Sequence, residues 1–323
     1  MRIGRFILPA LFACLMQPIV AQDAGRKTCC MFYNVENLFH PSDDPGPGDD
    51  DFTPGTVRHW SFYRYNRKIA QLCKVILAVG GWNPPQIICL CEIENRQVLE
   101  DIVRHPLLLH HHYEILHRES PDHRGIDVGI LYQPAGFTCI DTSWISITDQ
   151  NGDTIHTREI LGATFTADRD TLLCLANHWT SKYGGARETE PDRILQAQHL
   201  LRFINEAMEA IPGLKIIAGG DLNDSRGSRP LMELTAPGVL HPVLPPDGHN
   251  TYKYQGKWGS VDHLFAGGDL LPGQCRAAVF APAFLLEKDE KHTGMRPRRT
   301  FRGYAYNGGI SDHLPLLVYF RVR

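Results

Sequence analysis

Gly219-Gly220-Asp221-Leu222-Asn223-Asp224 follows directly on the apolar run Leu214-Lys215-Ile216-Ile217-Ala218. Such a run predicts a buried β-strand that ends at the polar residues. Because side chains alternate along a strand, Asp221 and Asn223 are expected to leave its end on the same side. One is anionic and the other neutral, a pair suited to holding a phosphate beside a cation. The same residue types also form ordinary turns. The stretch therefore indicates a phosphate site only if other strand ends carry similar residues.

Five other strand-like runs end in acidic, asparagine or histidine residues. They are Tyr33-Asn34-Val35-Glu36-Asn37, Cys91-Glu92-Ile93-Glu94-Asn95, Asn177-His178-Trp179, Ser260-Val261-Asp262-His263 and Ser311-Asp312-His313. Each alone would usually cap a helix or form a turn. Together they supply oxygen ligands for a hard cation, histidines for proton transfer and asparagine donors for an oxyanion. This inventory fits metal-assisted hydrolysis of a phosphoester.

These six motifs, in this order and over nearly the whole chain, resemble those of the endonuclease/exonuclease/phosphatase superfamily. Asn177-His178-Trp179-Thr180-Ser181-Lys182 and Ser311-Asp312-His313-Leu314-Pro315 are further similar to its exported bacterial branch. The resemblance implies an α/β fold, a four-layer α/β/β/α sandwich of two mainly antiparallel sheets with outer helices, as in deoxyribonuclease I. The excess of strand-like runs over helical ones agrees with sheets packed face to face.

The resemblance also implies roles for the matching residues. Those on the metal side, for Mg²⁺ or Mn²⁺, are Asn34, Glu92 and Asp312, with Glu92 as the principal ligand. The catalytic set is His178, Asp221, Asn223, Asp262 and His313. In it, His313 accepts a proton from water while Asp262 orients the ring, and His178 assists at the phosphate or leaving oxygen. Asp221 and Asn223 orient the water and hold a non-bridging oxygen.

Two further residues are expected to bind substrate. Glu36 lies where abasic-site endonucleases carry a second acid on the metal side. Near Arg124, those enzymes place a tyrosine that helps hold the phosphate. Arg124 either grips the phosphate through two nitrogens or pairs with Asp122 or Asp127. The loss of the tyrosine argues against an abasic-site specialisation.

The first residues have the pattern of an export signal. Arg2 and Arg5 precede an apolar stretch that ends in a small-residue cleavage site at Ala21. We therefore expect residues 1–21 to be a signal peptide and residues 22–323 to form one endonuclease/exonuclease/phosphatase domain, periplasmic or secreted. Lipoprotein cleavage before Cys14 is the alternative. No later apolar run is long enough to cross a membrane, and we expect a monomer.

The net charge and the cysteine spacing argue against a polyanion-coating protein and against a zinc-binding protein. Removal of Arg2 and Arg5 with the signal would change the net charge from −3 to −5. Proteins that coat polyanions are basic, so a phosphate substrate must be captured by a local site. Eight cysteines would remain, mostly inside apolar runs, where thiols behave as small apolar residues. Their spacing matches no zinc site, and their pairing does not follow from sequence.

Helical periodicity predicts helices over Tyr63 to Val79, Arg96 to Arg104 and Arg187 to Ala210. The acidic segment Pro41 to Asp51 is predicted to be a loop. Two basic segments, one after His178 and one from Met295 to Arg302, are either solvated or contact substrate.

The expected substrate is nucleic acid, hydrolysed by an endonuclease. The alternatives are a sphingomyelinase-like or small-molecule phosphoesterase, such as one acting on inositol phosphates, and a catalytically inert binding domain. Trp258 is a candidate for an apolar hairpin at a lipid surface, but no clear amphipathic segment supports it. The complete polar set argues against an inert domain, which has no need of it.

Overall fold

The computed structural model describes residues 25–42, 50–246 and 250–323. The predicted signal peptide, Cys14 and most of the acidic loop Pro41 to Asp51 lie outside the described residues. Within the described ranges, no helix combines the length and the apolar character needed to span a membrane.

Strands dominate the chain. In chain order they are β1 (Arg26–Leu38), β2 (Ile87–Ile93), β3 (Glu114–Leu116), β4 (Asp127–Tyr132), β5 (Thr138–Ile145), β6 (Ile160–Ala167), β7 (Asp170–His178), β8 (Lys215–Asp221), β9 (Leu240–Pro242), β10 (Tyr252–Tyr254), β11 (Lys257–Gly259), β12 (Asp262–Gly268), β13 (Arg276–Val279), β14 (Leu286–Lys288), β15 (Met295–Pro297), β16 (Phe301–Arg302), β17 (Ala305–Tyr306) and β18 (Leu316–Val322). The helices are α1 (Phe62–Gly80), α2 (Arg96–Arg104), α3 (Glu190–Ala210) and α4 (Arg229–Thr235).

The three predicted helices correspond to α1, α2 and α3. The third begins at Glu190 rather than at the predicted Arg187, because Pro191 lies in its first turn, where the missing N–H costs nothing. Glu190 and Asp192 place negative charge at the same end, which the helix dipole favours. The short α4 was not predicted, since seven residues give too few turns for a periodic signal.

Twelve strands form two six-stranded sheets. The first has the order β13-β18-β1-β2-β4-β3 and the second the order β5-β6-β7-β8-β12-β9. Within the first sheet only β1 and β2 pair in parallel, and within the second only β7 and β8, so both sheets are mainly antiparallel. The remaining strands form three small two-stranded sheets, β10-β11, β14-β15 and β16-β17.

The alternation of side chains along β1 explains the layers. Cys30 and Phe32 belong to the apolar cluster between the two sheets, whereas Met31 and Tyr33 pack with α1 and α2 on the outer face. On the other side, α3 and α4 pack against the outer face of β7 and β8. The order of layers is therefore α/β/β/α, which confirms the fold expected from the sequence.

Candidate active site

The strand register places the polar strand ends at one edge of the sandwich. In the second sheet, His178 pairs with Asp221 and Asp221 pairs with Asp262, so three functional residues lie side by side on β7, β8 and β12. In the first sheet, Asn34 of β1 lies beside Cys91 of β2. Residues far apart in sequence thus meet because the strands that carry them are neighbours.

Irregular backbone turns the first-sheet residues toward the second sheet. The pairing of β2 shifts between Cys91 and Ile93, and Glu92 between them has a left-handed φ of 62°. Glu36 and Asn37 on β1 have φ values of 51° and 49°. Non-glycine residues rarely adopt such φ values, and bulges of this kind redirect side chains beside functional sites.

Asn34 joins the two halves of the site. Its Nδ2 donates to Glu92 Oε1 at 3.2 Å and to Asp221 Oδ2 at 3.0 Å. Its Oδ1 accepts the backbone N–H of Glu36 at 2.9 Å, which fixes the orientation of the amide. Asn37 adds a backbone N–H to Glu92 Oε2 at 2.7 Å. Asn34 therefore holds two carboxylates, one from each sheet, close to one another.

Asp262, His313 and Asp221 form the second half. His313 Nδ1 is 2.9 Å from Asp262 Oδ2, and His313 Nε2 is 3.7 Å from Asp221 Oδ2. Thr251 donates its hydroxyl to the same Asp262 oxygen. Burial raises the pKa of Asp221 to about 7, with a further increase from Asp262. Burial alone would lower the pKa of His313, but the Asp262 and Asp221 carboxylates raise it well above its usual value.

His178 faces the same two carboxylates. Its Nε2 lies 3.9 Å from both Glu92 Oε1 and Asp221 Oδ2, too far for a direct hydrogen bond. Among the described residues, no partner lies within hydrogen-bond distance of its buried Nδ1. Burial, followed by the charges of Arg158 and Arg124, lowers the pKa of His178 well below its usual value. His178 is thus held neutral while His313 favours its charged form.

Arg158 stabilises the C-terminal end of β7. Its guanidinium donates to the carbonyls of His178 and Trp179 and pairs with Asp122 at 2.8 Å. Both ionic side chains are almost fully buried. No sequence pattern indicated Arg158, because its partners lie in two other segments, at Asp122 and at the end of β7.

Glu36 and Asp312 belong to an adjoining charged network. Glu36 accepts from Arg299 Nε at 3.1 Å and from the backbone N–H of Thr300 at 2.7 Å, and Arg299 Nη2 lies 2.9 Å from Asp312 Oδ2. Buried Lys68 donates to the Glu36 carbonyl and, at 2.9 Å, to the Thr300 hydroxyl. Burial, then Asp312, raises the pKa of Glu36 to about 7. Arg299 of the basic segment thus binds two acids of the chain itself.

Two predicted residues have contacts that the sequence did not indicate. Arg124 Nη2 donates to Asn37 Oδ1 at 2.8 Å, whereas its expected ion-pair partners Asp122 and Asp127 contact Arg158 and His117. This places the guanidinium beside a neighbour of Glu92.

Asn223 does not continue β8, which ends at Asp221, and its φ is 50°. The strand alternation used to orient its side chain therefore stops two residues before Asn223. Its Nδ2 donates to the carbonyl of Trp179 at 3.0 Å, and its backbone N–H donates to Asp221 Oδ1 at 2.9 Å. Asn223 thereby fixes both the Asp221 carboxylate and the strand end after His178.

The described site and fold agree with a known family. The family model described as "Endonuclease/Exonuclease/phosphatase family" matches residues 29–322. The chain belongs to this family. Endonuclease/exonuclease/phosphatase proteins are typically hydrolases of phosphoester bonds and generally depend on a divalent metal.

Solved structures of this fold align with nearly the whole chain. Truncated TDP2 from Caenorhabditis elegans is 17% identical, with 92% of this chain and 98% of that chain covered and a TM-score of 0.58. An endonuclease/exonuclease/phosphatase from Bacteroides vulgatus is 13% identical, with 92% and 100% covered and a TM-score of 0.59. SmcL is 14% identical, with 91% and 99% covered and a TM-score of 0.60. No curated protein matches the chain.

The donor atoms of the site fit the divalent cation that this family generally uses. Mg²⁺ prefers oxygen ligands from one or two carboxylates and retains several waters. Glu92 and Asp221 offer carboxylate oxygens on either side of Asn34, and ligand atoms of Asp221, Asp262 and His313 lie within 4.8 Å of one another. Asp312 is less accessible as a ligand, because a cation would compete with Arg299 for its carboxylate.

Proposed function

We propose that this protein is an exported Mg²⁺- or Mn²⁺-dependent phosphodiesterase that acts as an endonuclease on DNA or RNA. The observation that carries the proposal is the meeting of Glu92, Asn34, His178 and His313 around the carboxylate of Asp221. Four polar side chains from the two sheets and His313 from the segment before β18 converge there, and burying their charge has a cost that a purely structural sheet edge would not need.

Each residue then has a task that its contacts allow. His313 Nε2 accepts a proton from the attacking water, while the bond from Nδ1 to Asp262 fixes the ring. Neutral His178 binds a phosphate or leaving oxygen through Nε2, and Asn34 and Asn223 keep the carboxylates in place. Glu92 and Asp221 would hold the cation. When bound, the cation would offset the carboxylate charge, polarise a phosphoryl oxygen and oppose protonation of nearby His313.

Nucleic acid is the proposed substrate for two reasons. The first is the resemblance to the exported bacterial branch, and the second is a positively charged side chain, that of Arg124, at the edge of the site. The guanidinium of Arg124 lies one hydrogen bond from Asn37, which itself contacts Glu92. Such a local positive group can capture a phosphate although the chain as a whole is acidic.

A lipid phosphodiester is the second candidate, and one observation favours it. The hairpin β10-β11 exposes Tyr254 and Trp258, which are 62% and 37% exposed. At its base, the ring of Tyr252 lies 4.9 Å from that of His313. Exposed aromatic side chains beside a phosphoesterase site could contact either a membrane surface or the bases of a nucleic acid.

A substrate panel distinguishes these possibilities. The purified mature protein is incubated with plasmid DNA, RNA, sphingomyelin and inositol phosphates, with Mg²⁺ or Mn²⁺ restored after chelation. We expect cleavage of nucleic acid by the wild type and by His241→Ala, which removes an exposed histidine, and none by His313→Ala. Cleavage of sphingomyelin alone would refute the nuclease proposal. A folded, metal-supplied protein that turns over none of the substrates would be the inert binding domain.

Export and assembly are tested on the same protein. Mass spectrometry of protein recovered from the periplasm or medium should give an N-terminus at Gln22, whereas a lipid-modified Cys14 would identify a lipoprotein. Light scattering should give the mass of a monomer, and a dimer mass would refute that part of the proposal.

A further inference from the structure

Three buried thiols meet in the core between the sheets. They are Cys30 on β1, Cys89 on β2 and Cys174 on β7. Their sulfur atoms all lie within 4.8 Å of one another, and Cys89 Sγ and Cys174 Sγ are 3.6 Å apart. All three are free thiols, and their exposed fractions are 0%, 3% and 0%. We call this group the three-thiol cluster.

The register of the strands brings the three-thiol cluster together. Cys30 pairs with Ile87, so Cys89 lies two residues further along the adjacent parallel strand, and both face the second sheet. Cys174 comes from that second sheet, where its strand partners are Ala163 and Ile217. The three sulfur atoms therefore span the two sheets in apolar surroundings, and none of them takes part in the proposed hydrolysis.

The geometry points to a binding site for a trivalent thiophilic ion of the arsenite class, held by Cys30, Cys89 and Cys174. Soft thiolates select soft ions. Three thiolates neutralise a trivalent ion, whereas a divalent ion would leave one negative charge buried without a partner, which apolar surroundings strongly disfavour. The charge balance thus selects the trivalent ion among thiophilic ones.

The binding reaction needs no oxidant. Arsenous acid and three thiols give the arsenic trithiolate and three waters: three arsenic–oxygen and three S–H bonds break, three arsenic–sulfur bonds form, and each proton leaves with a hydroxide. Burial raises the pKa of Cys30 and Cys89, so their protons leave only as the arsenic–sulfur bonds form.

The test uses the reduced mature chain, unfolded in urea and refolded with sodium arsenite, which removes any barrier to entry into the core. We expect one arsenic per chain, a first shell of three sulfur atoms by X-ray absorption spectroscopy, and a higher midpoint of thermal unfolding than without arsenite. Cys73→Ala, which removes a buried thiol on α1 outside the three-thiol cluster, should bind equally. Cys30→Ala and Cys174→Ala should lose the three-sulfur shell.

Three results would overturn the proposal. These are wild-type protein without bound arsenic or with fewer than three sulfur ligands, a three-sulfur shell that survives Cys174→Ala, and a disulfide between Cys89 and Cys174 in protein isolated from an oxidising compartment. The coordination number of the wild type decides the matter even if a cysteine variant fails to fold. Because the measurements detect arsenic and stability rather than turnover, they are independent of the proposed hydrolysis.

Discussion

Arg158→Ala tests how the strand end that carries His178 is held in place. The guanidinium is buried with Asp122, at side-chain exposures of 4% and 0%, and their atoms Nη1 and Oδ2 are 2.8 Å apart. The same guanidinium donates to the carbonyls of His178 and Trp179. One side chain therefore supports an ion pair and the end of β7 together.

The magnitude follows from what the substitution leaves behind. Asp122 would keep a buried charge and lose its ion pair with Arg158, although the backbone N–H of Arg124 still donates to its other oxygen at 3.0 Å. Removing one member of a buried ion pair typically costs about 3–5 kcal/mol. We therefore expect Arg158→Ala to lower the free energy of unfolding by about 4 kcal/mol, above the usual range of about 0.5–3 kcal/mol for point mutations.

Urea unfolding followed by circular dichroism measures this change. Arg118→Ala is the matched control, because Arg118 pairs with Glu159 but is 53% exposed, and its loss should cost about 1 kcal/mol or less. Asp122→Ala combined with Arg158→Ala should be less destabilised than Arg158→Ala alone, since no unpaired charge remains. The reasoning is refuted if Arg158→Ala costs no more than Arg118→Ala, or if the second substitution adds to the loss.

Three further outcomes are expected. Asp262→Asn should lower kcat for nucleic acid about 10²–10⁴-fold, because the His313 ring loses its orienting carboxylate. Asp269→Asn on the surface is the control and should leave kcat unchanged in the same cleavage assay. Mg²⁺ or Mn²⁺ added after chelation should raise the midpoint of thermal unfolding of the wild type but not of Glu92→Gln, as measured by scanning fluorimetry. Equal shifts in the two proteins would exclude Glu92 as a ligand. Arg124→Ala should raise KM roughly tenfold at nearly constant kcat, since one charge-assisted hydrogen bond to phosphate is lost, and a change confined to kcat would contradict this role.

The fold could be predicted because its signals are local and repeated. Apolar runs predicted the strands, and the polar residues at their ends marked one edge of each sheet. Helix α2 was predicted at its observed bounds, and the structure shows that Asn95 caps it by accepting the backbone N–H of Val98. The motifs around Glu92 and Asp221 follow such strand ends, so the position of the site followed from the fold.

The partners of the site residues could not be predicted, because they depend on contacts between distant segments. Lys68 on α1 reaches Thr300, and Arg299 reaches both Glu36 and Asp312. No periodic pattern links such positions. The left-handed backbone at Asn223 was missed for a related reason: the strand rule gives a direction only while the strand continues, and β8 ends before it.

The position of Asn34 explains why like charges are kept together at this edge. Because its oxygen accepts the Glu36 N–H, its nitrogen must face Glu92 and Asp221 at once. The two carboxylates thus share one neutral donor, and burial makes the charged form of Asp221 costly, as its raised pKa shows. A bound divalent cation would remove this cost, so the same arrangement that disfavours charge in the folded chain favours a cation at the Glu92 and Asp221 oxygens. This link between buried charge and affinity is the physical reason for placing the proposed metal on those two residues, which come from different sheets and are brought together by the sandwich itself.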